Sequence, residues 1–323
     1  VSARDDIILE AEGVSKVFPG RAGFLGIGRR PGVRAVDNVS LTIRRGETVG
    51  LVGESGSGKS TLGRALIHLR PATAGSIRFE GQELARTSAE ELRALRRRMQ
   101  IIFQDPYSSL NPRMTVQETL EETLRLLDLR GDRQTEVDRL IRAVGLGPAH
   151  AAAYPFQLSG GQRQRVAIAR ALAMRPSFVV ADEAVSALDV SIQAQILNLL
   201  ADLQAEFGLT YLFISHDLNV VRYLANRIAV MYRGRIVEQG PTEAVFANPQ
   251  HPYTRLLLSA MPGRHQRDAL VPPPPLAERA AEGASGCCFM GRCPVSMPDC
   301  ATLRPSLAPR GDDHLVACHL ADG

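Results

Sequence analysis

The stretch "GESGSGKS", Gly53 to Ser60, constrains the fold more than any other part of the chain. It fits a phosphate-loop pattern: Gly, four free positions, then Gly-Lys-Ser. The pattern acts only between an apolar strand and a helix. "ETVGLVG", ending at Gly53, supplies the strand, and the run from Lys59 to about Leu69 reads as the helix. Glycines let backbone N–H groups turn inward around a phosphate, and the helix start adds partial positive charge. Lys59 is then placed to reach the β- and γ-phosphates of ATP, and Ser60 to offer a hydroxyl to Mg²⁺. Ser55, Gly56, Ser57, Gly58 and Thr61 complete the cradle.

A second apolar run, "FVVADE" at 178–183, ends in two carboxylates. Adjacent acids at the end of a buried strand are costly unless they have a task. Asp182 suits Mg²⁺, and Glu183 suits a general base acting on water. Gln104 closes the strand-like "MQIIFQ" and can reach Mg²⁺ or that water. His216 closes "LTYLFIS" and can hydrogen-bond the γ-phosphate.

Short apolar runs alternating with helical patterns predict an α/β fold with a mostly parallel core sheet. Alternation in "RAVDNVSLTI" predicts an antiparallel β portion, and residues of about 105–165 predict an inserted helical subdomain. "RIAVMYRGRIVEQG" reads as two strands turning at Gly234. Residues 20–32, rich in Gly and Arg, read as a loop. The expected domains are a nucleotide-binding domain at 1–263, a Pro-rich linker at 264–285 and a cysteine-rich tail at 286–323.

The chain has 323 residues and is 45% hydrophobic, enough for a full core. It has no run of twenty apolar residues, so no bilayer-spanning helix is expected. "VSARDDIILE" lacks the pattern of a secretion signal, and the chain is read as intracellular. The net charge of +4 and the arginines at 93 and 96–98 admit a phosphate-bearing partner. No aromatic residues interleave with those arginines, so nucleic acid is not expected as a partner.

"LSGGQRQRVAIARAL" at 158–172 resembles the signature of ATP-binding-cassette (ABC) proteins. The resemblance covers roughly residues 7–250 and implies an ABC-type ATPase. It implies that Ser159, Gly160, Gly161 and Gln162 cap the ATP held by a partner subunit. Phe18 is implied to stack on adenine. Asp189, ending "SALD", is implied to cross the dimer interface. Gln104 then opens the loop facing the membrane partner, whose short helix enters a groove beside residues 104–115. One departure is visible: the family usually has Pro after the Asp-Glu pair, and here it is Ala184. A freer turn there predicts retained but reduced hydrolysis.

"IIFQDPYSSLNPRMTV", "SALDVSIQAQILNLL" and "QHPYTRLLLSAMP" narrow the resemblance to the ATPase subunits of oligopeptide and dipeptide importers. The basic loop before "RAVDNVSLTI" is most like the second of the two unlike ATPases of such systems. This implies a heterodimer with an unlike ABC ATPase, two transmembrane permease subunits and, indirectly, an extracytoplasmic binding protein. It also implies a peripheral place on the cytoplasmic face of the cell membrane. Nickel, opine and other small-solute importers use closely similar ATPases, which leaves the solute open. The rival reading is a soluble ABC ATPase acting on nucleic acid or in iron–sulfur assembly.

All five cysteines lie in the tail. Cys287, Cys293, Cys300 and Cys318 are separated by five, six and seventeen residues, which is no ribbon-type zinc spacing. Four soft ligands in so short a segment suit Zn²⁺ or an iron–sulfur cluster. Gly286, Cys287, Phe289, Arg292 and Cys293 match the importer family's Gly-Cys-x-Phe-x-x-Arg-Cys pattern. That resemblance implies a [4Fe-4S] cluster on the four spaced cysteines, without Cys288, and with Zn²⁺ as the alternative.

Overall fold

The computed structural model describes residues 6–20, 32–127, 132–261, 285–311 and 313–322. The expected loop at 20–32 and linker at 264–285 lie almost wholly outside them.

The N-terminal strands are β1 (Ile7–Phe18), β2 (Val33–Arg44) and β3 (Thr48–Val52), followed by α1 (Lys59–Leu66), β4 (Ala74–Phe79) and β5 (Gln82–Glu83). Next come α2 (Ala89–Arg98), β6 (Met99–Ile102), α3 (Pro106–Ser109), α4 (Val116–Leu124), α5 (Arg133–Ala143) and α6 (Gly160–Ala173). The second α/β part holds β7 (Phe178–Asp182), α7 (Val190–Phe207), β8 (Thr210–Ile214), α8 (Leu218–Leu224), β9 (Arg227–Tyr232) and β10 (Arg235–Pro241). Helices α9 (Thr242–Ala247) and α10 (Pro252–Ser259) close the body. The tail adds α11 (Asp299–Thr302), β11 (Ala308–Pro309) and β12 (Leu315–Val316).

Strands β3, β7 and β8 are buried along their full length, as a sheet covered on both faces requires. They sit inside an eight-stranded sheet ordered β11-β12-β10-β9-β3-β8-β7-β6. Pairing is parallel from β9 through β6 and antiparallel from β9 out to β11. A separate antiparallel sheet runs β2-β1-β4-β5. The α/β class, the antiparallel portion and the inserted helices are therefore as the sequence predicts. Arg233 and Gly234 both take positive φ between β9 and β10, the geometry of a tight hairpin turn.

Two details differ. The strand expected to reach Gln104 ends at Ile102, because the Asp105 side chain accepts from the Tyr107 N–H and starts α3. The tail, expected to hang beyond the body, is built into it. Strand β12 pairs with β10 through Glu238–Val316 and Gln239–Leu315. Phe289 is 1% exposed. It meets Tyr232, Tyr253 and His251 at ring separations of 5.2, 5.4 and 5.7 Å.

Candidate active site

The phosphate loop connects β3 to α1 and keeps its shape through glycine. Gly53 and Gly58 take φ of 150° and 106°, and a Cβ would strike the Met231 carbonyl at one and the Ala35 carbonyl at the other. The β9–β10 turn pins the loop from below, with the Gly234 N–H donating to the Ser57 carbonyl at 2.8 Å. Lys59 Nζ donates to the carbonyls of Gly53 and Glu54 at 2.7 and 2.9 Å, so its charge is held inside the loop. Burial lowers its pKa, and the nearby carboxylates of Glu183, Asp182 and Glu54 oppose that shift.

The sheet carries the remaining groups to the same edge. Parallel pairing of β7 with β8 sets Asp182 beside Ile214, with Glu183 one residue and His216 two residues further along. Ser60 Oγ donates to Asp182 Oδ1 at 2.6 Å, and Arg64 Nη2 lies 3.2 Å from Asp182 Oδ2. His216 Nδ1 is 3.5 Å from Glu183 Oε2. Glu183 takes φ of 51°, a left-handed conformation that non-glycine residues seldom adopt. Its carbonyl accepts from both the Ser186 N–H and Oγ, at 3.1 and 3.0 Å, which closes the turn around buried Ala184. Gln104 is exposed, two residues beyond β6 and beside the end of β7.

The signature lies elsewhere on the molecule. Ser159 caps α6, accepting from the Gln162 N–H, while Gln162 Oε1 accepts the Ser159 N–H in return. Ser159 and Gly160 are exposed, and no hydrogen bond among the described residues links 159–162 to the phosphate loop. Asp189 begins α7 with its carboxylate unused as a cap, and its neighbour Val190 is 83% exposed. Phe18, at the end of β1, is flanked by Lys16 and Arg70 at 5.6 and 5.9 Å from its ring.

Several residues escaped the sequence reading. Arg64 pairs with Asp182. Arg170 donates to the Ser109 carbonyl and Arg163 lies 5.4 Å from the Tyr107 ring, so the signature helix grips α3 and the segment after Gln104. Arg292 of the tail makes a two-pronged ion pair with Glu54 of the phosphate loop. Arg96 and Arg98 of the basic helix are spent on the His68 carbonyl and Glu80.

Among the described residues, no three His, Cys, Asp or Glu side chains converge as a ready metal site. For Mg²⁺ this is no obstacle. A hydroxyl and one carboxylate, as at Ser60 and Asp182, leave phosphates and water to complete the shell. For the expected cluster the cage is not formed. Cys287 is engaged instead as a hydrogen-bond acceptor from Cys288, which lowers its thiol to about 4 against the opposing effect of burial, with His251 adding to the lowering. Cys288, the donor, is pushed up. Cys293 and Cys318 are raised by burial first, and the charges of Cys287 and Cys300 add to it. The Cys287 N–H donates to the Cys300 carbonyl at 2.8 Å. The four spaced thiols thus lie within electrostatic reach of one another, matching the cluster in donor type and number only.

Residues 36–186 match the ABC transporter family, and residues 237–300 match the oligopeptide/dipeptide transporter C-terminal region. The chain is 49% identical over 319 residues to a probable peptide ABC transporter ATP-binding protein of Sinorhizobium fredii, covering 98% of this chain and 90% of the relative. It is 46% identical over 329 residues to the oligopeptide transport ATP-binding protein AppF of Bacillus subtilis, covering 99% of both. The chain belongs to the ATP-binding subunits of ABC transporters, in the oligopeptide/dipeptide branch. Solved ABC cassettes share its fold. The cassette MJ0796, dimeric and bound to ADP and Pi after hydrolysis, is 32% identical with a TM-score of 0.63, covering 73% of this chain and 99% of that one. CbiO1 of Clostridium perfringens is 28% identical with a TM-score of 0.65, covering 75% and 92%. This ABC subunit is accordingly an ATPase, and no helix among its described residues is long and apolar enough to cross a membrane.

Proposed function

We propose that this subunit hydrolyses ATP to drive peptide import through two membrane-spanning permease subunits, as the second of two unlike ATPases on the cytoplasmic face of the membrane. The observation that carries the reading is one chain joining an ABC cassette to the oligopeptide/dipeptide C-terminal region.

In this mechanism Lys59 and the loop N–H groups bind the β- and γ-phosphates of ATP, and Phe18 stacks on adenine. Ser60, Asp182 and Gln104 would hold Mg²⁺, which when bound would neutralise charge developing on the phosphates. Arg64, 3.2 Å from Asp182 Oδ2, would share that carboxylate with the ion. Glu183 takes the proton of the attacking water, and His216 orients the γ-phosphate. The Ser159–Gln162 cap, exposed at Ser159 and Gly160, and Asp189 serve the partner ATPase's nucleotide, so the site is complete only on closure of the heterodimer, which excludes bulk water. Arg170 and Arg163 carry that closure from the signature helix to the segment after Gln104, where the permease docks. The tail cysteines Cys287, Cys293, Cys300 and Cys318 would hold the [4Fe-4S] cluster, in a structural role. Their number and softness support this reading.

The test is recovery of the native assembly. A tagged chain is purified anaerobically from the membranes of its own cells and its companions are identified. Two multi-span proteins, a second ABC ATPase and ATP-dependent peptide uptake by the reconstituted complex are expected. Recovery without membrane proteins, or a complex that moves only non-peptide solutes, overturns the proposal.

A further inference from the structure

We propose that Arg292 of the cysteine tail is a positioning residue for the phosphate loop, acting through Glu54. Glu54 is the second residue of that loop, and each of its polar groups is engaged. Its carbonyl accepts from Lys59 Nζ and from the Ser57 N–H. Its N–H donates to the Tyr253 hydroxyl at 2.9 Å. Its carboxylate receives Arg292 Nη1 and Nη2 at 2.8 and 2.9 Å. The two anchors outside the loop come from α10 and the tail, far from it in sequence.

The pair is built rather than incidental. Arg292 is 16% exposed on its side chain, against 41% for Glu54. Its guanidinium sits 5.7 Å from the Tyr232 ring and 5.9 Å from the Phe289 ring. Those rings fix the plane of the fork, and a fixed fork defines the carboxylate position in two directions at once. Arg292 closes the short turn Met290–Arg292 that begins beside buried Phe289. Docking of the tail therefore sets where Glu54 stands, and with it the carbonyl that shares Lys59. A loop whose N–H groups must meet a phosphate loses affinity when displaced by a fraction of an ångström. The proposal rests on nucleotide binding at residues 53–60 and is independent of the transported solute and of the tail cluster.

The test uses the full-length chain for fluorescent-ATP binding and the assembled transporter for turnover. Arg292→Ala is expected to weaken nucleotide binding and raise KM for ATP about tenfold, with kcat at saturating ATP changing far less. Arg292→Lys, which keeps charge but not the fork, is expected to recover little. Glu54→Gln leaves the tail untouched and is expected to weaken binding to a similar degree. Because both changes break one interaction, the double variant is expected to be no weaker than either single one. The single effects multiplying in the double variant, or Glu54→Gln binding nucleotide like the unaltered chain, overturns the proposal. An unaltered chain that binds no nucleotide overturns the site itself.

Discussion

Ser60 and Asp182 meet across 2.6 Å, joining the start of α1 to the end of β7 at the edge where the phosphates belong. Arg64 occupies the other oxygen of the same carboxylate at 3.2 Å. In the proposed mechanism Asp182 holds a divalent ion, so the Arg64 cation is its competitor there. Two outcomes are expected. Asp182→Asn keeps an acceptor for Ser60 but removes the charge, so Mg²⁺-dependent hydrolysis is lost. Arg64→Ala removes the competitor, so half-maximal activity is reached at lower Mg²⁺. Titrating Mg²⁺ against ATPase rate in both variants checks the pair; an unchanged Mg²⁺ midpoint in Arg64→Ala refutes the competition.

Glu183 sits between a conformational constraint and a partner. Its φ of 51° aims the carboxylate, and His216 stands 3.5 Å away. Glu183→Gln preserves size and removes the base. Turnover is expected to fall by about 10²–10⁴-fold, the usual worth of a positioned proton acceptor. ATP binding is expected to persist, so the variant should trap the ATP-bound complex. Single-turnover hydrolysis with native-size analysis of the complex reads both effects, and near-normal hydrolysis would falsify the assignment.

Ala184 stands where the family usually places Pro, yet the turn is not open. The Ser186 N–H and hydroxyl both hold the Glu183 carbonyl. Ala184→Pro is therefore expected to raise turnover only about twofold, since a compatible Pro contributes ~0.4–1 kcal/mol through lost chain entropy. Ser186→Ala is expected to lower turnover, because it removes one of those holds. Steady-state ATPase of the assembled transporter decides the matter. A large gain from Pro would mean that Ser186 does not fix the turn.

The nucleotide site was legible because its chemistry is local. Gly53 to Ser60, the Asp182–Glu183 pair and "LSGGQ" each place their proposed roles in consecutive residues, with apolar strands supplying the context for the first two. Their assembly also followed, since parallel strands deliver their ends to one edge. Arg292 and Glu54 could not be read, being 238 positions apart with no pattern linking them. The docking of the tail was hidden for a related reason. Its body-packed apolar residues, Phe289, Leu307 and Val316, are widely spaced, and its strand β12 is two residues long. Neither leaves a periodic trace. Arg64 and Arg170 were equally silent, as arginines on helices whose partners sit on other elements.

The tail thiols give a direct metal test. Cys300 is buried beside the Cys287 backbone, and Cys293 and Cys318 feel the charges of both. Anaerobically purified protein is expected to be brown and to contain iron and sulfide. Cys300→Ser is expected to lose the chromophore, whereas Cys288→Ser is expected to keep it. Iron-free protein that instead binds zinc stoichiometrically would replace the cluster by Zn²⁺. Loss of iron in Cys288→Ser alone would move the ligand set.

Phe289 should be the main apolar anchor of the tail. It is fully buried among Tyr232, Tyr253 and His251. The other attachments are short or polar: the β10–β12 pairing, the Arg292–Glu54 ion pair, and buried Glu238, which accepts from the Gln250 and His251 N–H groups and pairs with His314 at 2.8 Å. Phe289→Ala leaves a cavity among the rings, and a buried Phe-to-Ala change costs about 3–5 kcal/mol. That exceeds what a two-residue strand pairing, the partly exposed Arg292–Glu54 pair and the Glu238 network are expected to restore, so the tail is expected to detach before the body unfolds. Limited proteolysis should then cut within residues 285–322 while the cassette stays whole, and hydrogen exchange should accelerate at Leu315 and Val316. Equal protection in the variant would assign the anchoring to Glu238 and His314 instead.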